Sequence, residues 1–161
     1  MNITFIGLGV MGYPMAGHLA KQDGFSVTVY NRTGAKARQW VDEYPGSMNE
    51  SIASAVSGAD VVITCVGADP DLRALFTGDN GIIANAPEHT LLLDHTTASA
   101  TVTRELAAAA STRNQHWLDA PVSGGQQGAE NGQLTIMCGG NRESFDSARP
   151  VMDCYGKVSH Y

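Results

Sequence analysis

Lysine is scarce in this chain: Lys21, Lys36 and Lys157 are the only three in 161 residues. Together lysine and arginine number 10 against 16 acidic residues, for a formal charge of −6. The basic residues are scattered and form no cluster, which argues against a nucleic-acid binder. Cysteine is equally sparse. Cys65, Cys138 and Cys154 are odd in number and contain no C-x-x-C pair, so the expectation is reduced thiols in a cytoplasmic protein. No apolar run is long enough to span a bilayer, and "MNITFIG" enters a strand-like run directly, without a basic leader. The expected partners therefore include neither membrane nor nucleic acid. The five histidines show neither H-E-x-x-H nor a spaced cysteine partner, so no metal site is expected.

The missing lysines also exclude an activity. A short-chain dehydrogenase needs Tyr-x-x-x-Lys, whereas Gly17, Arg32 and Asp153 stand four residues before the three lysines. A serine hydrolase would want G-x-S-x-G, and Ser123 sits in Ala-Pro-Val-Ser-Gly-Gly. A His/Asp pair could arise from Asp94-His95 or from His116 with Asp119. Neighbours on a strand face opposite ways, which weakens the first pair. Asp94 and Asp119 read as strand-end braces.

The composition is globular, with 43% hydrophobic and 16% charged residues. The segments "NITFIG", "SVTVY", "DVVITCV", "TLLLDH", "HWLD", "LTIMCG" and "KVSHY" read as strands, several apolar throughout. Helical stretches fall at about 10–22, 33–44, 49–57, 70–77, 98–113, 124–131 and 141–153, with Asp69 and Asn141 as expected N-caps. This alternation predicts one α/β domain over 1–161: a doubly wound, mainly parallel Rossmann-type sheet with helices on both faces.

The first turn indicates a ligand. Strand "NITFI" runs into Gly7-Leu8-Gly9-Val10-Met11-Gly12 and then a helix. That order, strand then G-x-G-x-x-G then helix, is the context of a dinucleotide site. Gly7 permits the turn, Gly9 admits a pyrophosphate to the backbone, and Gly12 lets helix and strand approach closely. At the end of the second strand, where an NAD-selective site places a carboxylate, the chain has Asn31, then Arg32, Thr33 and Lys36. Without that carboxylate a 2′-phosphate meets no repulsion, and Arg32 can clamp it or stack on adenine. NADP(H) is thus favoured over NAD(H).

Three stretches resemble the β-hydroxyacid dehydrogenase family, which includes 3-hydroxyisobutyrate dehydrogenase, tartronate semialdehyde reductase and the 6-phosphogluconate dehydrogenases. They are "FIGLGVMGYPMAGHL", "LLLDHTTASATVTREL" and "DAPVSGGQQGAENGQLTIMCGG". The first departs from the family signature at His18, where asparagine is usual. The resemblance implies that Thr96 bonds the cofactor near the nicotinamide and that Val66 and Gly67 line the same pocket. It implies that Ser123, Gly124 and Gly125 hold the carboxylate of a small β-hydroxy acid or semialdehyde, suitably, since successive glycine N–H groups form an anion-binding concavity. It also implies a catalytic lysine on a helix beyond Tyr161. This chain would then hold no catalytic residue, lack the helical C-terminal domain, be inactive alone, and form homo-oligomers only through that domain. The alternative is a non-catalytic NADP(H)-binding module.

Overall fold

Six parallel strands form the centre of the molecule, a computed structural model describing residues 1–161. They are β1 (Asn2–Ile6), β2 (Ser26–Tyr30), β3 (Ser47–Met48), β4 (Val61–Thr64), β5 (Leu91–Asp94) and β6 (His116–Asp119). The order runs β3-β2-β1-β4-β5-β6, and β9 (Gly139–Gly140) closes the far edge antiparallel to β6. Strand order reverses between β1 and β4, both paired to each other in parallel register from Ile3↔Val61 to Ile6↔Thr64. In open α/β sheets that reversal opens a crevice above the carboxyl ends of the strands.

Burial explains the apolar strands. All four residues of β4 and of β5 are buried, because helices cover both faces. One core of 25 buried residues includes Phe5, Met15 and Leu19 together with Trp40, which belongs to the second helix. The opposite core of 15 holds Leu72, Phe76, Val102 and Leu106. The helices are α1 (Gly12–Ala20), α2 (Gly34–Glu43), α3 (Ile52–Val56), α4 (Asp69–Phe76), α5 (Ile82–Asn85), α6 (Ala100–Ser111), α7 (Gly125–Glu130) and α8 (Arg142–Met152).

Two expectations need correction. The segments "LTIMCG" and "KVSHY" do form strands, β8 (Leu134–Met137) and β10 (Gly156–His160), but these leave the main sheet. With β7 (Val122–Ser123) they build a separate three-stranded sheet in the order β10-β8-β7. The helix caps differ too. The Asn141 side chain accepts from Ser144 N–H at 2.7 Å and caps α8, as expected. Asp69 does not cap α4: the helix already includes it, and Ala68 holds the cap position. Its carboxylate instead accepts from the Ser99 N–H at 2.9 Å and from the Ser99 hydroxyl, bracing α4 against the start of α6.

Candidate functional site

The turn between β1 and α1 is held by close backbone contacts. Gly7 has φ of 99°, and a Cβ there would collide with the Cys65 carbonyl at the end of β4. A Cβ on Gly12 would collide with the Gly7 carbonyl and sit 2.9 Å from the Phe5 ring. Both glycines are therefore needed for strand and helix to meet. Gly9 differs, because a Cβ there would have nothing within 4 Å. The room above Gly9 belongs to a cleft of about 550 Å³. No side chain caps the start of α1, and no acidic residue lies in its first turn. In that turn the Tyr13 N–H donates to the Gly9 carbonyl at 3.0 Å and Pro14 has no N–H, so the Gly12 N–H and the positive dipole end are left for an anion.

The cleft lies at the reversal of strand order. One wall is the glycine turn, with Gly7, Gly9, Val10, Met11 and Gly12. A second wall follows β2 through Asn31, Arg32, Thr33 and Lys36, and a third is Val66 and Gly67 beyond β4. The structure thereby brings eleven of the thirteen sequence-assigned cofactor residues to one cavity. The other two lie behind the wall. The Leu8 side chain is buried in the core, and its N–H donates to Asn31 Oδ1 at 2.8 Å. Thr96 is also buried, and its hydroxyl accepts from the Val66 N–H at 3.1 Å. Asn31 in turn donates through Nδ2 to the Thr33 carbonyl at 3.0 Å, so its side chain fixes the glycine turn to the β2–α2 loop.

Sequence reasoning missed Ile6, Tyr30, Ile52, Cys65, Asp71, Ala74 and Leu75, which complete the lining. Most are apolar and carry no signal apart from general burial. Asp71 had a signal, an acid in the first turn of α4, but one that reads as an ordinary helix-start residue. The Asp71 carboxylate accepts from the Ala68 N–H at 3.2 Å and lies 3.7 Å from the Arg32 guanidinium.

Beneath the cleft the strand ends carry buried polar groups. Asp94 is fully buried, and its Oδ1 accepts from the Thr64 hydroxyl at 2.7 Å and from the Thr96 N–H at 3.1 Å. Its Oδ2 has no partner. Burial outweighs those two bonds and lifts the carboxyl to about 6, with Asp119, its register neighbour on β6, adding to the rise. Burial, reinforced by Asp94, pushes the Cys65 thiol up to about 11, which keeps it protonated.

His95 is engaged elsewhere. Its Nδ1 lies 2.6 Å from the Ala120 carbonyl and its Nε2 lies 2.8 Å from the Tyr155 hydroxyl. Burial lowers it to about 4, so it is neutral. A carbonyl only accepts, so Nδ1 carries the proton and the Tyr155 hydroxyl donates to Nε2. Asp94 and His95 form no acid–base pair. His116 is exposed and stacks on His89 with ring centres 6.1 Å apart.

Ser123, Gly124 and Gly125 stand outside the cleft lining, exposed on β7 and the start of α7. Gly124 has φ of 135°, a conformation open to glycine alone. The far end of α7 is tied to α1, where His18 Nε2 lies 3.0 Å from the Ala129 carbonyl and 3.1 Å from that of Glu130. The residue that departs from the family signature thus connects the helix of the glycine turn to the helix of the second loop.

Residues 2–161 match a family model described as the NAD binding domain of 6-phosphogluconate dehydrogenase. An "Uncharacterized oxidoreductase" of Shewanella frigidimarina is 56% identical over 158 residues, covering 98% of this chain and 54% of that protein. The NAD-dependent L-serine dehydrogenase of Pseudomonas aeruginosa is 40% identical over 156 residues, 97% of this chain and 52% of that one. Among solved structures, Mycobacterium tuberculosis 3-hydroxyisobutyrate dehydrogenase with L-serine aligns at a TM-score of 0.91 and 34% identity, over 99% of this chain and 53% of the other. The chain spans about half the length of the curated relatives it matches.

Proposed function

The chain belongs to the family of the 6-phosphogluconate dehydrogenase NAD-binding domain, and on that premise we propose that it is the cofactor half of an NAD(P)-dependent oxidoreductase of small β-hydroxy acids. The carrying observation is the open space at Gly9, set between glycines whose packing fixes the turn and facing a cleft where strand order reverses. A pyrophosphate fits there against backbone N–H groups and the uncapped start of α1. Arg32, Thr33 and Lys36 then surround the adenosine end, with the arginine and lysine suited to a 2′-phosphate, so NADP(H) is the favoured form. Val66 and Gly67 form the nicotinamide wall, which Thr96 supports through the Val66 N–H. The nicotinamide, when bound, supplies the hydride acceptor or donor.

Ser123, Gly124 and Gly125 take the substrate carboxylate. They offer a hydroxyl and consecutive N–H groups held by the positive-φ Gly124 backbone and by the His18 tie on α7. Serine and 3-hydroxyisobutyrate, named for the two relatives, are both carboxylic acids with a β-hydroxyl. Oxidation of such a hydroxyl needs a proton acceptor. His95 is neutral and doubly engaged, and Lys36 stands beside Arg32 and Thr33, at the proposed adenosine end. The acceptor is therefore assigned to the second half of the enzyme, where the resemblance implies a lysine. The unpaired thiols suit a reducing cytoplasm.

Fluorescence titration of the chain with NADPH and NADH tests this reading. Arg32→Asp is expected to weaken NADPH far more than NADH; equal losses would remove the 2′-phosphate role from Arg32.

A further inference from the structure

We propose that Asp71 is a specificity-determining residue that competes with the cofactor's 2′-phosphate for Arg32. The inference rests on the reading of Arg32 as the phosphate ligand. An NAD-selective site places its carboxylate at the end of the second strand, and this chain has Asn31 there, with its side-chain oxygen committed to the Leu8 N–H. The fold supplies a carboxylate to the same cleft from the opposite wall. Three charged side chains line the cavity, Arg32, Lys36 and Asp71, and Asp71 is the only acid among them.

The two members of the ion pair are held very differently. Asp71 is fixed by the Ala68 N–H at 3.2 Å, and its Oδ2 lies against Gly67, where a Cβ would strike it. The Arg32 side chain is 91% exposed and meets Asp71 at 3.7 Å, a loose contact. Arg32 is thus the mobile partner and Asp71 the stationary one. The pair joins the β2–α2 loop to the start of α4 across the cleft, and a 2′-phosphate must draw the guanidinium away from it. A phosphate offers a guanidinium a better bidentate acceptor than a contact of that length, so the exchange is favourable but weakened by the pair it breaks. NADH, with a free 2′-hydroxyl, gains little from breaking it. Asp71 therefore lowers NADP(H) affinity selectively and sets how far the site discriminates.

Four proteins test this: the wild-type chain, Asp71→Asn, Arg32→Ala and the double variant, each titrated with NADPH and NADH. Asparagine keeps an oxygen for the Ala68 N–H, and Asp71→Ser serves as a second variant that retains a short acceptor. Asp71→Asn is expected to tighten NADPH about three- to fivefold, the scale of an exposed ion pair, and to change NADH less than about twofold. In the Arg32→Ala background the gain should disappear. An equal gain there would overturn the competition, since the carboxylate would then act without Arg32. If Arg32→Ala weakens NADPH while neither Asp71 variant moves either cofactor, this inference fails and the phosphate reading of Arg32 stands. If Arg32→Ala leaves NADPH unchanged, or the wild-type chain binds neither cofactor, the underlying reading fails as well.

Discussion

His95 and Tyr155 meet through a 2.8 Å hydrogen bond inside the core, the imidazole accepting and the phenol donating. The bond fastens the end of β5 to the residue just past α8, and the second nitrogen of His95 holds the Ala120 carbonyl beside β6. Tyr155→Phe removes the donor and leaves a buried nitrogen unpaired, which costs about 1–3 kcal/mol. Urea denaturation is expected to show that loss with an unchanged m-value. A variant as stable as the wild type would mean that the bond adds nothing.

Acid titration should reveal two buried groups working against each other. His95, lowered to about 4 from 6.5, contributes stability that is complete above pH 6.5 and is lost as pH falls towards 4. Asp94, raised to about 6 from 3.8, contributes stability that is complete below pH 3.8 and is lost as pH rises through 6. Their slopes oppose one another between pH 4 and 6. Asp94→Asn deletes one slope, so the variant should lose stability more steeply than the wild type on acidification from pH 6.5 to 4. Parallel curves would show that one of the two groups does not titrate as its burial implies.

The glycines of the first turn separate folding from binding. Gly12→Ala drives a methyl into the Gly7 carbonyl and is expected to destabilise by about 1–3 kcal/mol, read as a lower Tm. Gly9→Ala meets open space, so stability should stay within about 1 kcal/mol while NADPH affinity falls at least tenfold. A Gly9→Ala chain that binds normally would place the pyrophosphate elsewhere.

Gly124→Ala tests the second loop. Its φ of 135° makes any side chain strained, at about 1–3 kcal/mol, with cofactor affinity unchanged because the residue is outside the cleft. In a protein extended by the second half of its relatives, Gly125→Val should abolish carboxylate binding and spare NADPH. Substrate affinity equal to wild type would remove the loop from the substrate site.

The parallel centre of the fold was legible because strands such as "DVVITCV" and "TLLLDH" are apolar on both faces and bounded by polar turns. Which sheet a strand joins was not legible, since "LTIMCG" has the same composition whether it pairs with β6 or with β10. β3, β7, β9 and α5 were invisible because two to four residues carry no periodicity. At the site, the glycine turn could be read from spacing alone. Asp71 could not, because its function depends on a guanidinium 39 positions earlier that only the folded sheet brings near. Leu8 and Thr96, expected at the cofactor, are buried behind the cleft wall and do not line the cavity.

Both margins of the seven-stranded sheet end in strands of two residues, Ser47–Met48 on one side and Gly139–Gly140 on the other. Margins that short present too few unpaired amides to template a foreign strand. The five-residue β10 is different. It pairs with β8 alone, so its other side is a free ladder, and its Lys157 and Val158 are exposed. Misassembly by strand addition therefore has one starting point in this chain, and a charge or proline introduced on β10 is where solubility engineering should begin.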